Sequence, residues 1–317
     1  MRTLVARAPA RIDFGGGWTD VPPYPAERGG FVCNVAIDRY ATVTIRTGSP
    51  PRPHESRLVR AALARAGVSD VDVDLSCDFP VGAGLGGSSA AGVALAGALA
   101  SWKRESISAT ALAERSRATE VADLGVAGGW QDHFAAVHGG AQALTFSGDA
   151  TKQESIPLSM PLARELARRC LLFYTGESRI SSRAIELVAD AYTRGDEQVS
   201  ASLDAMKQCA LAMAAALRCG TADTIDRLGA LLRQHWERQM MLHREITTDR
   251  IDALQRTAYG AGALGIKALG ASGGGCVVVV APAGAEDALV ERLAPLAQPL
   301  RYAVDTTGFT VLADDDA

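Results

Sequence analysis

Apolar residues recur along this chain with two different periods, and the points where the period changes mark out its elements. Residues 3–14 alternate loosely between apolar and polar, and 71–79 (VDVDLSCDF) alternate more strictly. A period of two places apolar side chains on one face of an extended strand. The stretch 31–46 is rich in Val, Ile and Thr and predicts more strand, as do 170–175 (CLLFYT) and 276–281. Helical spacing takes over at 54–67, 88–102 and 108–124, the last with Ser108 as its N-cap and Gly125 as its stop. Four amphipathic segments follow at about 181–194, 197–218, 222–242 and 248–261. Strands and helices are mixed rather than strictly alternating, which predicts an α+β fold over a doubly wound sheet. Between 149 and 161 the chain turns polar and acquires prolines, so a boundary is expected there, dividing 1–155 from 156–317.

Composition narrows the function classes. Hydrophobic residues make up 48% of the 317 and charged residues 21%, the balance of a soluble globular protein. A net charge of -4 supplies no basic face for nucleic acid or an anionic membrane. The uncharged run 88–102 is too short to cross a bilayer, and the first residues lack the apolar core of a secretory signal. Cys33, Cys77, Cys170, Cys209, Cys219 and Cys276 are scattered with no CxxC pair. Neither a zinc site nor a disulfide framework is expected, and a cytoplasmic location with reduced thiols is.

The pattern breaks most sharply at 80–99, PVGAGLGGSSAAGVALAGAL, where glycines crowd in front of two serines and a charge-free helix. Gly82, Gly84 and Gly87 fit the GxGxxG spacing of dinucleotide sites, but that spacing is weak alone and does not open a strand–helix–strand unit here. No Lys follows the glycines, so a Walker A loop fails. A bare tight turn is a third reading. A phosphate loop of another type uses the residues best. Glycines let the backbone approach a ligand, and a helix starting at Ser88 aims free N–H groups and its positive end at it. The hydroxyls of Ser88 and Ser89 reach phosphate oxygens or a metal ion.

Two further stretches accompany this loop in order, ARAPARIDFGGGWTD at 6–20 and KALGASGGGCVVVV at 267–280. Together the three resemble the motifs of the GHMP kinases, and the resemblance spans essentially the whole chain. It implies an α+β fold in two lobes, the N-terminal lobe like domain 2 of ribosomal protein S5 and the C-terminal lobe ferredoxin-like, with the active site in the cleft between them. It implies ATP and Mg²⁺ as cofactors and phosphoryl transfer to a hydroxyl, a reaction that rests on positioning and charge neutralisation. The ATP loop would comprise Pro80, Gly82, Gly84, Leu85, Gly86, Gly87, Ser88, Ser89 and Ala90. Ser89 and Glu120 would hold Mg²⁺. Asp132, in AGGWQDHFAAVHGG, would activate or orient the acceptor hydroxyl, and Arg11 would hold Asp132 and stabilise the transferring phosphoryl group. Gly87 stands where many members have Ser, and Ser272 interrupts the third glycine motif. His133, His138 and His243 lack a metal-ligand pattern and are expected to be structural.

The acceptor is read from the remaining motif residues. GGWTD at 16–20 resembles the galactokinase segment GEHTD, with Asp20 accepting from sugar hydroxyls; Gly17 and Trp18 replace the Glu and His, which argues against galactose. Trp18 and Trp130 have counterparts in the kinase portion of L-fucokinase, where an aromatic face suits an apolar sugar face. YTGESRISSRAI at 174–185 and the run from 234 to 275 resemble D-glycero-D-manno-heptose 7-phosphate kinase instead, with Arg179 as a fork for a second phosphate. Gln131, Thr175, Gly273 and Gly274 complete the expected acceptor surface. The expected function is an ATP-dependent sugar 1-kinase acting on a small-molecule sugar or sugar phosphate, with no nucleic-acid or membrane partner and a homodimer left open. Three rivals are a non-catalytic sugar and ATP sensor on the same fold, a kinase of another small alcohol such as mevalonate, and a nicotinamide-dependent oxidoreductase. Retention of Arg11, Glu120 and Asp132 together argues against the sensor.

Overall fold

The computed structural model describes residues 2–47, 56–126, 128–148, 150–177 and 182–315. Among the described residues ten strands form two sheets, and every pairing within them is antiparallel. The strands are β1 (Thr3–Gly15), β2 (Gly30–Thr47), β3 (Val71–Cys77), β4 (Ala141–Ser147), β5 (Ala150–Ile156), β6 (Cys170–Tyr174), β7 (Gly265–Ala268), β8 (Cys276–Val280), β9 (Gln298–Leu300) and β10 (Thr310–Asp315). The first sheet runs β10-β1-β2-β4-β5, with β3 also on β2, and the second runs β7-β8-β6-β9. β2 spans 18 residues and serves two neighbours on the edge away from β1. Its first half pairs with β4 and its second half with β3.

The predicted alternation at 71–77 is realised, with Val71 and Val73 buried. The charge-free run becomes the helix Gly87–Trp102, buried continuously from Ser89 to Ala100. A helix apolar all round belongs inside, and this one packs on β1 and β2 beneath the helices Ala109–Ala118 and Gln131–His138. The predicted helix 108–124 does begin at Ser108, whose hydroxyl accepts from the Ala111 N–H at 3.2 Å. It stays α-helical only to Ala118 and continues as a π-helical turn, Thr119–Asp123. That wider turn buries Glu120, and such turns recur at functional sites.

The chain passes from the first sheet through β5 and the helix Met160–Arg169 into β6 of the second. Its last strand, β10, returns to pair with β1. We place the division between the lobes after β5, with β10 belonging to the first. Two long helices tie the lobes together. Glu197–Cys219 packs on β1 and β2, and its partner Thr224–Met240 packs on β7 and β8. The second of these approaches the sheet at Gly229, where a Cβ would stand 2.6 Å from Leu264 Cβ, and at Gly265, where a Cβ would stand 2.1 Å from the Gly229 carbonyl oxygen.

This close approach sets the sign of a substitution. Gly229→Ala in a helix interior gains about 1 kcal/mol of helix propensity. The packing against Leu264 outweighs it, because the clash is with an atom fixed to the backbone. Thermal or denaturant unfolding of Gly229→Ala should show a net loss of about 1–3 kcal/mol, and a stabilised variant would refute the contact.

Candidate active site

A cleft of about 620 Å³ opens between the lobes, lined by the glycine loop, the end of β1, the π-helical turn and the loop before Asp132. The glycine loop is shaped by its neighbours. Gly84 adopts φ 72, and a Cβ there would lie 2.6 Å from the Leu269 carbonyl oxygen. Gly86 is the N-cap at φ 72, in the left-handed region that other residues rarely occupy. The third glycine motif lies directly against this loop, and the Cys276 N–H donates to Ala83 O at 2.7 Å. The first N–H groups of the following helix have no carbonyl of their own helix to meet, which makes its start a ready anion site.

Arg11 and Asp132 meet beneath the loop. Arg11 lies on β1 opposite Ala36 and is 3% exposed. Its Nε donates to Asp132 Oδ1 at 2.7 Å and its Nη1 to Gly84 O at 2.6 Å, while its backbone N–H donates to Leu85 O at 2.9 Å. One guanidinium thus ties the glycine loop to the carboxylate, and Asp132 Oδ2 is left toward the cleft, about 3.2 Å from where a Cβ of Gly86 would stand.

Ser89 and Glu120 meet at the start of the helix Gly87–Trp102. Ser89 Oγ donates to Glu120 Oε2 at 2.9 Å, and His133 Nε2 lies 3.2 Å from the same oxygen. Burial pushes this carboxyl up, but the His133 ring and the hydroxyls of Ser88 and Ser89 more than reverse that, holding it down at about 2. His133 braces Glu120 while its Nδ1 lies 3.0 Å from Ser116 Oγ. Among the described residues no cluster of three or more His, Cys, Asp or Glu could hold a metal ion. A hydroxyl and an ionised carboxylate side by side do fit Mg²⁺, a hard cation that takes its remaining oxygens from phosphate and water.

The wall of the cleft around Asp20 is acidic. Asp20 Oδ2 accepts from the backbone N–H groups of Trp130 and Gln131 at 2.9 and 3.0 Å. A Cβ at Gly129 would collide with that oxygen at 1.9 Å, which accounts for the glycine directly before Trp130. Burial, followed by Asp132 and Asp13 among its neighbours, raises the Asp20 carboxyl to about 6.

Sequence reasoning missed three groups behind this wall. Lys267, fully buried on β7, donates from Nζ to Asp13 Oδ2 at 2.8 Å and to Asp13 O at 2.7 Å. Burial raises the Asp13 carboxyl, but Lys267, His235 and Arg11 together bring it below the ordinary carboxylate range. His235, its ring lowered to about 3 by burial and the nearby lysine, accepts at Nε2 from the Gly16 N–H at 2.9 Å. The signal was a lone Lys in the apolar run 263–269, a charge that must find a partner if buried.

The structure brings most expected residues to the cleft and moves others away. Arg11, Trp18, Asp20, Pro80, Gly82, Gly84, Gly86, Gly87, Ser88, Ser89, Glu120, Gln131 and Asp132 line it. Leu85 and Ala90 are core residues supporting the loop. Trp130 contributes its backbone N–H, but its ring packs against Phe146 and under Arg117, whose Cζ is 3.6 Å from the ring centroid. Thr175 donates to Gly275 O at 2.8 Å and so fixes the third glycine motif rather than lining the cleft. Gly273 and Gly274 serve the same loop, and Gly270 and Ala271 line the cleft in their place. Arg179 lies outside the described residues.

Asp20 carries a stability signature. Its carboxyl is raised above its unfolded value, so its contribution is fully present below about pH 4 and is lost as pH rises to about 6. Asp20→Asn removes that loss and keeps an oxygen for the two N–H groups. The variant should match wild type below pH 4 in thermal unfolding and exceed it above pH 6 by on the order of 3 kcal/mol. A pH-independent difference would mean Asp20 is not held in this environment.

Known proteins match this architecture from end to end. A D-glycero-alpha-D-manno-heptose 7-phosphate kinase from Campylobacter jejuni is 27% identical, the match covering 87% of this chain and 88% of that protein. The bifunctional fucokinase/GDP-fucose pyrophosphorylase of Arabidopsis thaliana is 26% identical over 88% of this chain, which spans 30% of its length. Among solved structures, a D-glycero-D-manno-heptose 1-phosphate kinase from a Bacteroides species superposes with a TM-score of 0.78 at 21% identity, covering 98% of this chain and 99% of that one. A Lactococcus lactis galactokinase complexed with galactose superposes with a TM-score of 0.76 at 16% identity, covering 98% and 95%. These two show a shared fold. Residues 56–140 match the family model described as the GHMP kinases N terminal domain, and 212–296 match that of the GHMP kinases C terminal. With both halves matched in order over more than half its length, the chain belongs to the GHMP kinase family.

Proposed function

We propose that this protein is an ATP-dependent sugar kinase that phosphorylates the anomeric hydroxyl of an L-fucose-type or heptose 7-phosphate-type acceptor. The observation that carries this reading is the Arg11–Asp132 pair, lodged between the glycine loop and the acidic end of the cleft. The acceptor hydroxyl oxygen attacks the γ-phosphorus of ATP, the new O–P bond forms as the bond to the β-phosphate oxygen breaks, and ADP leaves. Asp132 Oδ2 takes the hydroxyl proton as the new bond forms and passes it to solvent. Arg11 keeps Asp132 in place through Oδ1 and sets positive charge beside the transferring group, where negative charge spreads over its oxygens. The helix start at Gly87 meets the phosphates. Ser89 and Glu120 would hold Mg²⁺, which supplies neutralisation of phosphate charge when bound.

The heptose kinase and fucokinase relatives support a sugar as acceptor. Acidic groups at the acceptor end favour hydroxyls over a carboxylate, which weighs against mevalonate, although a Pyrococcus furiosus mevalonate kinase is 27% identical over 67% of this chain.

ADP release with Mg²⁺ and ATP, measured over L-fucose, D-mannose, D-galactose, D-glycero-D-manno-heptose 7-phosphate and mevalonate, tests the proposal. The product of a 1-kinase is an acid-labile glycosyl phosphate; an acid-stable ester would move the reaction to another carbon. Asp132→Asn should lower kcat by about a hundredfold to ten-thousandfold with ATP binding retained. Near-normal turnover would remove Asp132 from the chemistry. Glu120→Gln should raise the Mg²⁺ needed for half-maximal rate by about tenfold or more, and an unchanged requirement would place the ion elsewhere.

A further inference from the structure

Glu120 is held from the protein interior by two side chains that do not line the cleft. His133 Nε2 lies 3.2 Å from Glu120 Oε2, and His133 Nδ1 lies 3.0 Å from Ser116 Oγ. His133 is 2% exposed and Ser116 is fully buried, whereas Glu120 lines the cleft. A carboxylate only accepts, so the ring carries its hydrogen on Nε2. Ser116 Oγ can donate to Nδ1 or accept from it, which suits that tautomer and the charged ring alike. Room for the hydroxyl is cut into the helix Gly87–Trp102, where a Cβ at Gly92 would stand 2.6 Å from Ser116 Oγ.

The contacts of Glu120 divide by side. Ser89 Oγ donates to Oε2 at 2.9 Å, and Ser88 also bonds the carboxylate. Both serines line the cleft, so they would share Glu120 with an ion bound there. His133 reaches the same oxygen from the interior and does not compete. It also follows Asp132 directly on the helix Gln131–His138. Successive helix residues point about 100° apart, so Asp132 turns to Arg11 while His133 turns to Glu120. That helix packs on Ala109–Ala118, which leads straight into the π-helical turn carrying Glu120. One short helix thus sets the spacing between the two carboxylates.

We propose that His133, backed by Ser116, is a positioning residue that orients Glu120 toward the Mg²⁺ of the nucleotide and ties that carboxylate to Asp132. Removing an outer hydrogen bond of this kind from a metal ligand lowers metal affinity by about tenfold to a hundredfold. The inference rests on the sugar-kinase reading and adds the groups that set how tightly its ion is held.

The test is the affinity of the protein–ATP complex for Mn²⁺, a spectroscopic stand-in for Mg²⁺, read without acceptor from the electron paramagnetic resonance of the free ion. Calorimetry of ATP binding without metal is the check on folding. His133→Leu should weaken Mn²⁺ binding by about tenfold or more, and His133→Gln, which restores an N–H donor, should return it to within about threefold of wild type. Ser116→Ala should weaken it by about threefold or more, with metal-free ATP affinity kept. In turnover, the Mg²⁺ needed for half-maximal rate should rise in step with the loss of Mn²⁺ affinity. A merely structural role would lower metal-free ATP affinity and would not separate Leu from Gln. Unchanged Mn²⁺ affinity in His133→Leu, or a Gln variant no better than Leu, would overturn the inference. If His133→Leu fails to bind ATP, Ser116→Ala decides, and an affinity within about twofold of wild type overturns the inference. Either result beside a Glu120→Gln protein that binds Mn²⁺ weakly leaves the sugar-kinase reading standing. Unaltered Mn²⁺ affinity in Glu120→Gln would place the ion elsewhere and overturn the inference, whereas silence across the acceptor panel with the expected Mn²⁺ pattern would strike the sugar-kinase reading alone.

Discussion

The ion pair between Lys267 and Asp13 joins the two lobes where both side chains are buried. Lys267 sits on β7 of the second sheet and Asp13 on β1 of the first, and Nζ grips both the carboxylate and the backbone carbonyl of Asp13. A charge taken from water at such depth is tolerated only with a close partner, and removing one member of such a pair costs about 3–5 kcal/mol. The pair therefore holds the sheets in one register. The rest of the cleft depends on that register, because Arg11 is two residues before Asp13 on the same strand, and the Gly270 loop follows β7 directly.

The three glycine motifs are one structure brought from distant parts of the chain. The loop at 82–87 touches the Leu269–Gly270 backbone through Gly84 and is bonded to β8 through Ala83 and Cys276. The GGWTD segment passes over Asp13 and Gln131 at Gly17. Backbone approaches this close leave no room for a Cβ, so small residues accumulate where lobes and ligands converge. Charge is then divided along the cleft. The end at the helix start presents N–H groups with Ser89 and Glu120, and the end at Asp20 presents carboxylates.

Much of the site was legible because it is carried by local pattern. The loop glycines and the serines at the helix start lie in one short motif whose residue types suit a phosphate loop, and the expected roles of Arg11 and Asp132 came from the family resemblance of the stretches that hold them. Trp130, Thr175, Gly273 and Gly274 read as cleft residues because they share those motifs. In space Trp130 turns its ring toward Phe146 and Arg117, and Thr175 turns to Gly275. Membership of a motif specifies backbone path, whereas side-chain direction depends on what packs beside it. The π-helical turn at Thr119–Asp123 was invisible for the same reason, since its five residues carry no period that differs from an ordinary helix.

By itself the sequence determined the α+β class and most of the helices and strands, because these follow from periodicity, and it carried three motifs that resemble those of the kinase family. Only the tertiary structure decided that β10 closes the first sheet, that Lys267 and His235 stand behind Asp13, and that Asp20 braces the Trp130–Gln131 backbone. These contacts join residues more than one hundred positions apart in the chain. No local pattern records which distant group a buried charge will meet. That choice is made when the two sheets pack and each buried polar atom must find a partner or wait for a ligand.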